Sequence, residues 1–268
     1  MTRIITITSC KGGVGKSTVA ANLTMALSSL GQKCVLIDMD LGNRSLDLML
    51  GCEDMVVYDI SDVCTGRVSI DRALIEFDAP RGFSFCPAPY MYSDDITADG
   101  LRSALDALIA EREPDFIILD SSGGADVSVE LCARVSGEAL IVSSRNPASV
   151  RAAGKSAELL EGYGVTERKL IINSLELSKK LNRDRVGVLD LIDETGLCLV
   201  GIIPEEERIE RLCEKGMLTL ESRRAVSKGA FLNLAKRLTG ERVSLLTGIR
   251  GLGERQRRRI LCGSEHKQ

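Results

Sequence analysis

Tryptophan is absent from the 268 residues, and aromatic side chains of all kinds make up only 3% of them. So few rings leave little on which single-stranded nucleic-acid bases could stack. A basic excess is also missing: the net charge is −3, so the overall balance proposes no nucleic-acid partner. No two cysteines stand as C-x-x-C, which excludes a zinc ribbon or a thioredoxin-type redox site. The nine cysteines are scattered at 10, 34, 52, 64, 86, 132, 198, 213 and 262. Most lie in apolar runs, such as Cys34 before Val35-Leu36-Ile37 and Cys198 between Leu197 and Leu199. They read as small core residues in a reducing compartment. No apolar run reaches the ~18 residues of a transmembrane helix, and no secretory leader precedes the first strand, so a cytoplasmic protein is expected. Repeats and low-complexity segments are missing too.

What is present is a hydrophobic content of 44%, enough for a substantial core. Apolar runs at Ile4–Thr8, Cys34–Asp38, Phe83–Ala88, Phe116–Asp120, Ala139–Ser143, Lys169–Asn173 and Cys198–Ile203 read as strands. They alternate with helical stretches such as Thr18–Ser29, Ala98–Glu113 and Ser149–Tyr163. Near-continuous Val/Ile/Leu strands separated by helices predict an α/β fold: a mostly parallel twisted sheet of seven or eight strands, helices on both faces. One domain over 1–240 is expected, followed by a tail over 241–268. Ligands of such sheets bind beyond the carboxyl ends of the strands. Those ends carry Lys11, Asp38, Asp120, Asn173 and Pro204.

The strand Ile4–Thr8 runs into Cys10-Lys11-Gly12-Gly13-Val14-Gly15-Lys16-Ser17-Thr18, and a helix follows. Strand, glycine-rich turn and helix start are the context of a phosphate-binding P-loop. Glycines let backbone N–H groups approach phosphate oxygens, and the helix N-terminus adds positive potential. Lys16 is then placed for the β/γ-phosphates and Ser17 for Mg²⁺. Lys11 is a second cation, not needed merely to hold a nucleotide. It makes sense as a charge that stabilises phosphoryl transfer, as an arginine finger does. Two further strands end in carboxylates: Val35-Leu36-Ile37-Asp38-Met39-Asp40 and Phe116-Ile117-Ile118-Leu119-Asp120. Buried aspartates there need a metal, a cation or water, and Asp120 is placed like the Mg²⁺-water ligand of a P-loop NTPase.

With those residues assembled, the chain resembles the ParA/MinD family of ATPases with a deviant Walker A motif, most nearly its MinD branch. Lys11 to Thr18 matches the family's loop, with Lys11 as the signature lysine. Ile37 to Gly51 resembles the switch I region, and Asp120-Ser121 opens the switch II equivalent. The likeness spans roughly residues 1–240, and the first fifty are its most specific part. It implies ATP and Mg²⁺, with Gly12, Gly13, Val14, Gly15, Lys16, Ser17 and Thr18 around the phosphates. It places Asn173, Pro204 and Glu205 at the adenine, Ser17, Asp120 and Asp38 at the metal, and Asp40 at the attacking water, with Asp38 also supporting the switch. It further implies a homodimer formed on ATP binding, in which Lys11 of one subunit crosses to the phosphates of the other, and a small activating protein partner.

Three departures stand out. Cys10 occupies a position usually held by Gly, Ser122-Gly123-Gly124 replaces a Pro-Ala-Gly segment, and Arg145-Asn146-Pro147-Ala148 lacks an acidic residue after the proline. At the chain end Leu245, Leu246, Ile249, Leu252 and Ile260 fall near helical spacing, with Arg250, Arg255, Arg257, Arg258 and Arg259 interleaved. This basic amphipathic pattern predicts a peripheral anchor on the inner face of the cell membrane in the ATP state. The output favoured is a membrane-cycling ATPase that positions the division septum. A ParA-like DNA-segregation ATPase, using Arg223-Arg224, Lys228 and Lys236-Arg237, and a flagellar-number regulator remain as alternatives.

Overall fold

The computed structural model describes residues 1–92, 95–177, 186–249 and 252–262. In chain order the strands are β1 (Arg3–Ser9), β2 (Cys34–Met39), β3 (Ile75–Glu76), β4 (Ser84–Cys86), β5 (Phe116–Gly123), β6 (Glu138–Ser143), β7 (Glu167–Leu175) and β8 (Cys198–Pro204). The helices are α1 (Lys16–Ser29), α2 (Leu46–Leu50), α3 (Ile60–Cys64), α4 (Ile70–Ala73), α5 (Ala98–Arg112), α6 (Val127–Val135), α7 (Pro147–Gly162), α8 (Val188–Thr195), α9 (Glu207–Cys213), α10 (Lys228–Leu238) and α11 (Glu254–Cys262).

The strands form one eight-stranded sheet in the order β3-β4-β2-β5-β1-β6-β7-β8. All neighbours are parallel except β3, which pairs antiparallel with β4. Every predicted strand is present; β3 is the additional one, and two residues are too few to leave a periodic signal.

Burial on both faces explains the unbroken apolar strands. Along β2, Cys34 and Leu36 enter a core with residues of α1 and α10, whereas Val35, Ile37 and Met39 enter a second core with residues of α3, α5 and α6. Helices α1 and α10 pack together, as do α5 and α6, while α7 pairs with α8. The register aligns the functional strand ends. Asp38 of β2 and Ile7 of β1 both stand opposite Asp120 of β5. The P-loop, both acidic strand ends and Asn173 on β7 thereby meet at one rim.

The tail differs from expectation. Leu246, Ile249 and Leu252 are buried in the main core, and Leu245, Ile260 and Leu261 pack against it. Asn233 donates to the Thr247 carbonyl, and Arg237 donates to the carbonyls of Val200, Val243 and Ser244. The apolar residues expected to face lipid thus cover the body of the domain. The physical reason is a nearer apolar surface: α10 and β8 present one to the returning chain. Arg250, part of the same pattern, lies outside the described residues, as do 263–268.

Candidate active site

The P-loop turns on two glycines in the left-handed region, Gly13 at φ +74° and Gly15 at φ +87°. Gly15 also caps α1, with Val19 N donating to its carbonyl at 2.9 Å. A Cβ on Gly15 would lie 2.3 Å from Asn173 Nδ2, so glycine is required there for both conformation and space. Asn173 donates from Nδ2 to the Val14 carbonyl at 2.8 Å, which ties the loop to β7.

Lys16 is only 8% exposed. Its Nζ stands 3.0 Å from where a Cβ on Gly123 would be, and Gly12 Cα stands 3.1 Å from it. Gly123, in the segment that departs from the family pattern, is thus the place where β5 can pass both the lysine and the loop. That segment is fixed to the end of β1: Ser121 Oγ donates to the Ile7 carbonyl at 3.0 Å and Gly124 N to Ser9 O at 3.1 Å. Ser122 N donates to Ser128 Oγ at 3.2 Å, and Ser128 in turn donates to the Met39 carbonyl, linking the switch II equivalent to β2.

Lys11 has different surroundings. Half-buried, it donates from Nζ to Ser149 Oγ at 3.1 Å at the start of α7, and Ser144 Oγ lies 2.9 Å from the same hydroxyl. Cys10 N donates to Ser156 Oγ at 2.8 Å, so α7 also braces the position where the family has Gly. Ser149 and Ser156 were not legible as site residues, because their contacts span well over a hundred positions of chain.

The carboxylates divide by partner. Asp38 is wholly buried, and its oxygens accept from Asp40 N at 2.9 Å and Leu46 N at 3.3 Å. Burial, with the Asp120 carboxylate beside it, pushes its pKa well above the ordinary range. Of its two expected roles this geometry favours support of the switch, since both oxygens already hold backbone amides. Asp120 is also wholly buried, and neither oxygen makes a hydrogen bond of good geometry, although the Ser17 hydroxyl is near enough to favour its charged form. Burial raises its pKa to about 7 even though Ser17 and Lys16 act to lower it. A desolvated carboxylate with no well-formed hydrogen bond, next to a loop hydroxyl, suits a hard divalent cation. Asp40 is half-exposed, and Asn43 Nδ2 donates to its Oδ2 at 3.1 Å.

Two clefts with shared lining open at this rim, with Asp40 in the wall of one and Asp38 and Asp120 in the wall of neither. One, of about 470 Å³, is lined by Gly12, Gly13, Gly15, Lys16, Ser17, Thr18, Asp40 and Gly123, among others. The other, of about 450 Å³, adds Val14, Asn173, Pro204 and Glu205 and the side of α9 through Ile209 and Cys213. Gly13, Gly15, Thr18 and Met49 line both. Lys11 lines neither.

Known proteins match this arrangement. A family model described as ParA, NUBPL iron-transfer P-loop NTPase, matches residues 1–71. The septum site-determining protein MinD of Synechocystis is 36% identical over 268 residues, covering 98% of this chain and 100% of that one. The chain belongs to the MinD family. Two solved MinD structures share its architecture. The MinC:MinD cell division complex of Aquifex aeolicus superposes with a TM-score of 0.83 at 33% identity, covering 91% of this chain and 98% of that one. MinD of Pyrococcus horikoshii complexed with Mg-ADP gives 0.77 at 25% identity, covering 89% and 96%. As a MinD family member this chain is a P-loop ATPase of the septum site-determining kind.

Proposed function

We propose that the chain is an ATP-driven dimerisation switch. The nucleotide spans the two clefts, with its base toward Asn173, Pro204 and Glu205 and its phosphates on the loop amides of Gly12 to Thr18 and on Lys16. Ser17 and Asp120 would hold Mg²⁺, which when bound neutralises phosphate charge. Asp40, at the cleft wall, orients the attacking water, and Asp38 holds the backbone that carries Asp40. The observation that carries the dimer is the placement of Lys11. It is a loop lysine that lines neither cleft of its own chain, so its charge is available to the phosphates of a second copy. A homodimer then completes each site with the partner's cation, and hydrolysis separates the copies.

The output proposed is reversible residence on the inner face of the cell membrane from a cytoplasmic pool, under a small regulatory protein. The Aquifex complex of MinD with MinC supports such a partner. Among the described residues no helix is long and apolar enough to cross a membrane. The surface of α11 offered to lipid is cationic: Arg255, Arg258 and Arg259 are exposed, with Arg258 paired to Glu254 at 3.1 Å. Each contributes about 1 kcal/mol near an anionic leaflet, and two copies on one dimer multiply the effect. The DNA-binding alternative is weakened, because its basic run is largely engaged. Lys228 donates to the Leu220 carbonyl, Lys236 pairs with Glu241, and Arg237 is held by three carbonyls.

Sedimentation with vesicles containing anionic lipid tests this output with ATP, with ADP and without nucleotide. Binding is expected with Mg·ATP, and it should fall at least tenfold when Arg255, Arg258 and Arg259 are changed together to Gln. Protein that stays in the supernatant with ATP overturns the membrane reading. Binding to non-specific duplex DNA instead, weakening steeply with salt, would favour the ParA-like alternative.

A further inference from the structure

Arg81 lies in the turn between β3 and β4, outside every motif of the sequence. Its side chain is 12% exposed. Nη1 donates to the Leu50 carbonyl at 2.7 Å, at the end of α2. Nη2 donates to the Gly216 carbonyl, just beyond α9, and to Glu221 Oε2, with which it forms a 3.1 Å ion pair. The guanidinium also stacks on the Phe77 ring, 4.9 Å from its centroid. One planar cation thus joins two helix-end carbonyls and a carboxylate, a task for which a guanidinium fork is suited.

The elements it joins are two walls of the clefts, α2 and α9. Helix α2 carries Met49, which lines both clefts, and its first amide is held by Asp38, whose other oxygen holds Asp40 N. Helix α9 carries Ile209, Glu210 and Cys213 along the base-side cleft. Where the two walls meet, the backbones nearly touch. A Cβ on Gly216 would stand 2.7 Å from Gly51 Cα, and both glycines have positive φ, +63° and +65°. The same segment returns to the P-loop helix. Glu221 accepts from Leu218 N at 2.6 Å, Thr219 N donates to Asn22 Oδ1 at 2.7 Å, and Asn22 Nδ2 donates to Thr18 O at 2.9 Å.

We propose that Arg81 is a positioning residue that couples the base-side wall of the site, α9 and residues 216–221, to the switch helix α2, so that an adenine nucleotide in the base-side cleft is felt at Asp40. It touches neither nucleotide nor reacting atoms and acts through Leu50 and Gly216. The proposal rests on the reading of the two clefts as one nucleotide site.

The absence of tryptophan makes it testable in the full chain. Leu48 on α2 is 58% exposed, so Leu48→Trp adds a single indole reporter to the switch helix. Emission is followed during titration with Mg·ADP and with Mg·tripolyphosphate, a probe without a base, and binding is measured independently by calorimetry. In Leu48→Trp, ADP is expected to shift the emission and tripolyphosphate to shift it less. Adding Arg81→Gln should weaken ADP about tenfold, leave tripolyphosphate within about twofold, and abolish the shift in ADP-saturated protein. Arg81→Lys, able to reach one carbonyl, should recover part of the shift, and it keeps the test open if the Gln variant folds poorly. A full shift in both Arg81 variants, an equal loss of the two ligands, or no shift in ADP-saturated Leu48→Trp overturns the coupling. Failure of Leu48→Trp to bind ADP by calorimetry would instead overturn the site reading.

Discussion

Lys11 and Lys16 sit five positions apart in one loop and meet opposite surroundings. Lys16 is enclosed beside Gly123 and acts on Asp120; Lys11 is half-exposed and rests on Ser149. Lys16→Ala is therefore expected to lose ATP binding, by at least ~10-fold for a charge-assisted contact, and hydrolysis with it. Lys11→Ala should bind ATP within about threefold of the parent and lose hydrolysis, as read by nucleotide titration and phosphate release. Equal loss of binding in both variants would contradict the crossed-lysine role. Asp120 gives a pH prediction for the nucleotide-free, metal-free chain. Its folded pKa of about 7 exceeds the ordinary carboxyl value of 3.8, so between those values the folded state holds a proton that the unfolded state has released. Its contribution to stability is present below that range and is lost as pH rises to 7. In urea unfolding, Asp120→Asn should gain on the parent as pH rises from 5 to 7.5, by on the order of 2 kcal/mol. A constant difference across that range would contradict the assignment. The carboxylates were legible because each ends an apolar strand. Ser149, Ser156 and Arg81 were not, since no local pattern marks a side chain whose contact is a fold-level event.

At the scale of elements, the buried strands were readable because covering both faces of a sheet imposes unbroken Val/Ile/Leu runs, as in Phe116–Leu119. The tail shows the limit of the same reasoning. Apolar residues at helical spacing tell that a face is covered, and not by what. Leu246 at 3% exposure covers the domain itself. Leu246→Ala should cost about 2–4 kcal/mol in urea or thermal unfolding, the range for a buried leucine. A loss under about 0.5 kcal/mol would show that this turn does not belong to the core. For the same reason, truncation after Gly240 removes core residues, and the arginine substitutions in α11 are the cleaner probe of membrane contact.

For the whole molecule, strand order was not written in any one motif; the sequence placed the P-loop and the two Asp strand ends at one edge of the sheet, and only the structure puts β5 between β2 and β1. The structure supplies that order and brings the P-loop, Asp38, Asp120 and Asn173 to one rim; in the proposed dimer Lys11 would add a cation from a second copy. The central claim is that ATP decides when two copies meet, and the mass in solution tests it most directly. Sedimentation equilibrium of Asp40→Ala, in which hydrolysis should be stopped, is predicted to give about twice the 29.0 kDa chain mass with Mg·ATP and the single mass with Mg·ADP. Lys11→Ala combined with Asp40→Ala should remain at the single mass with either nucleotide. A monomer for Asp40→Ala saturated with ATP, or a dimer indifferent to nucleotide, would contradict the account.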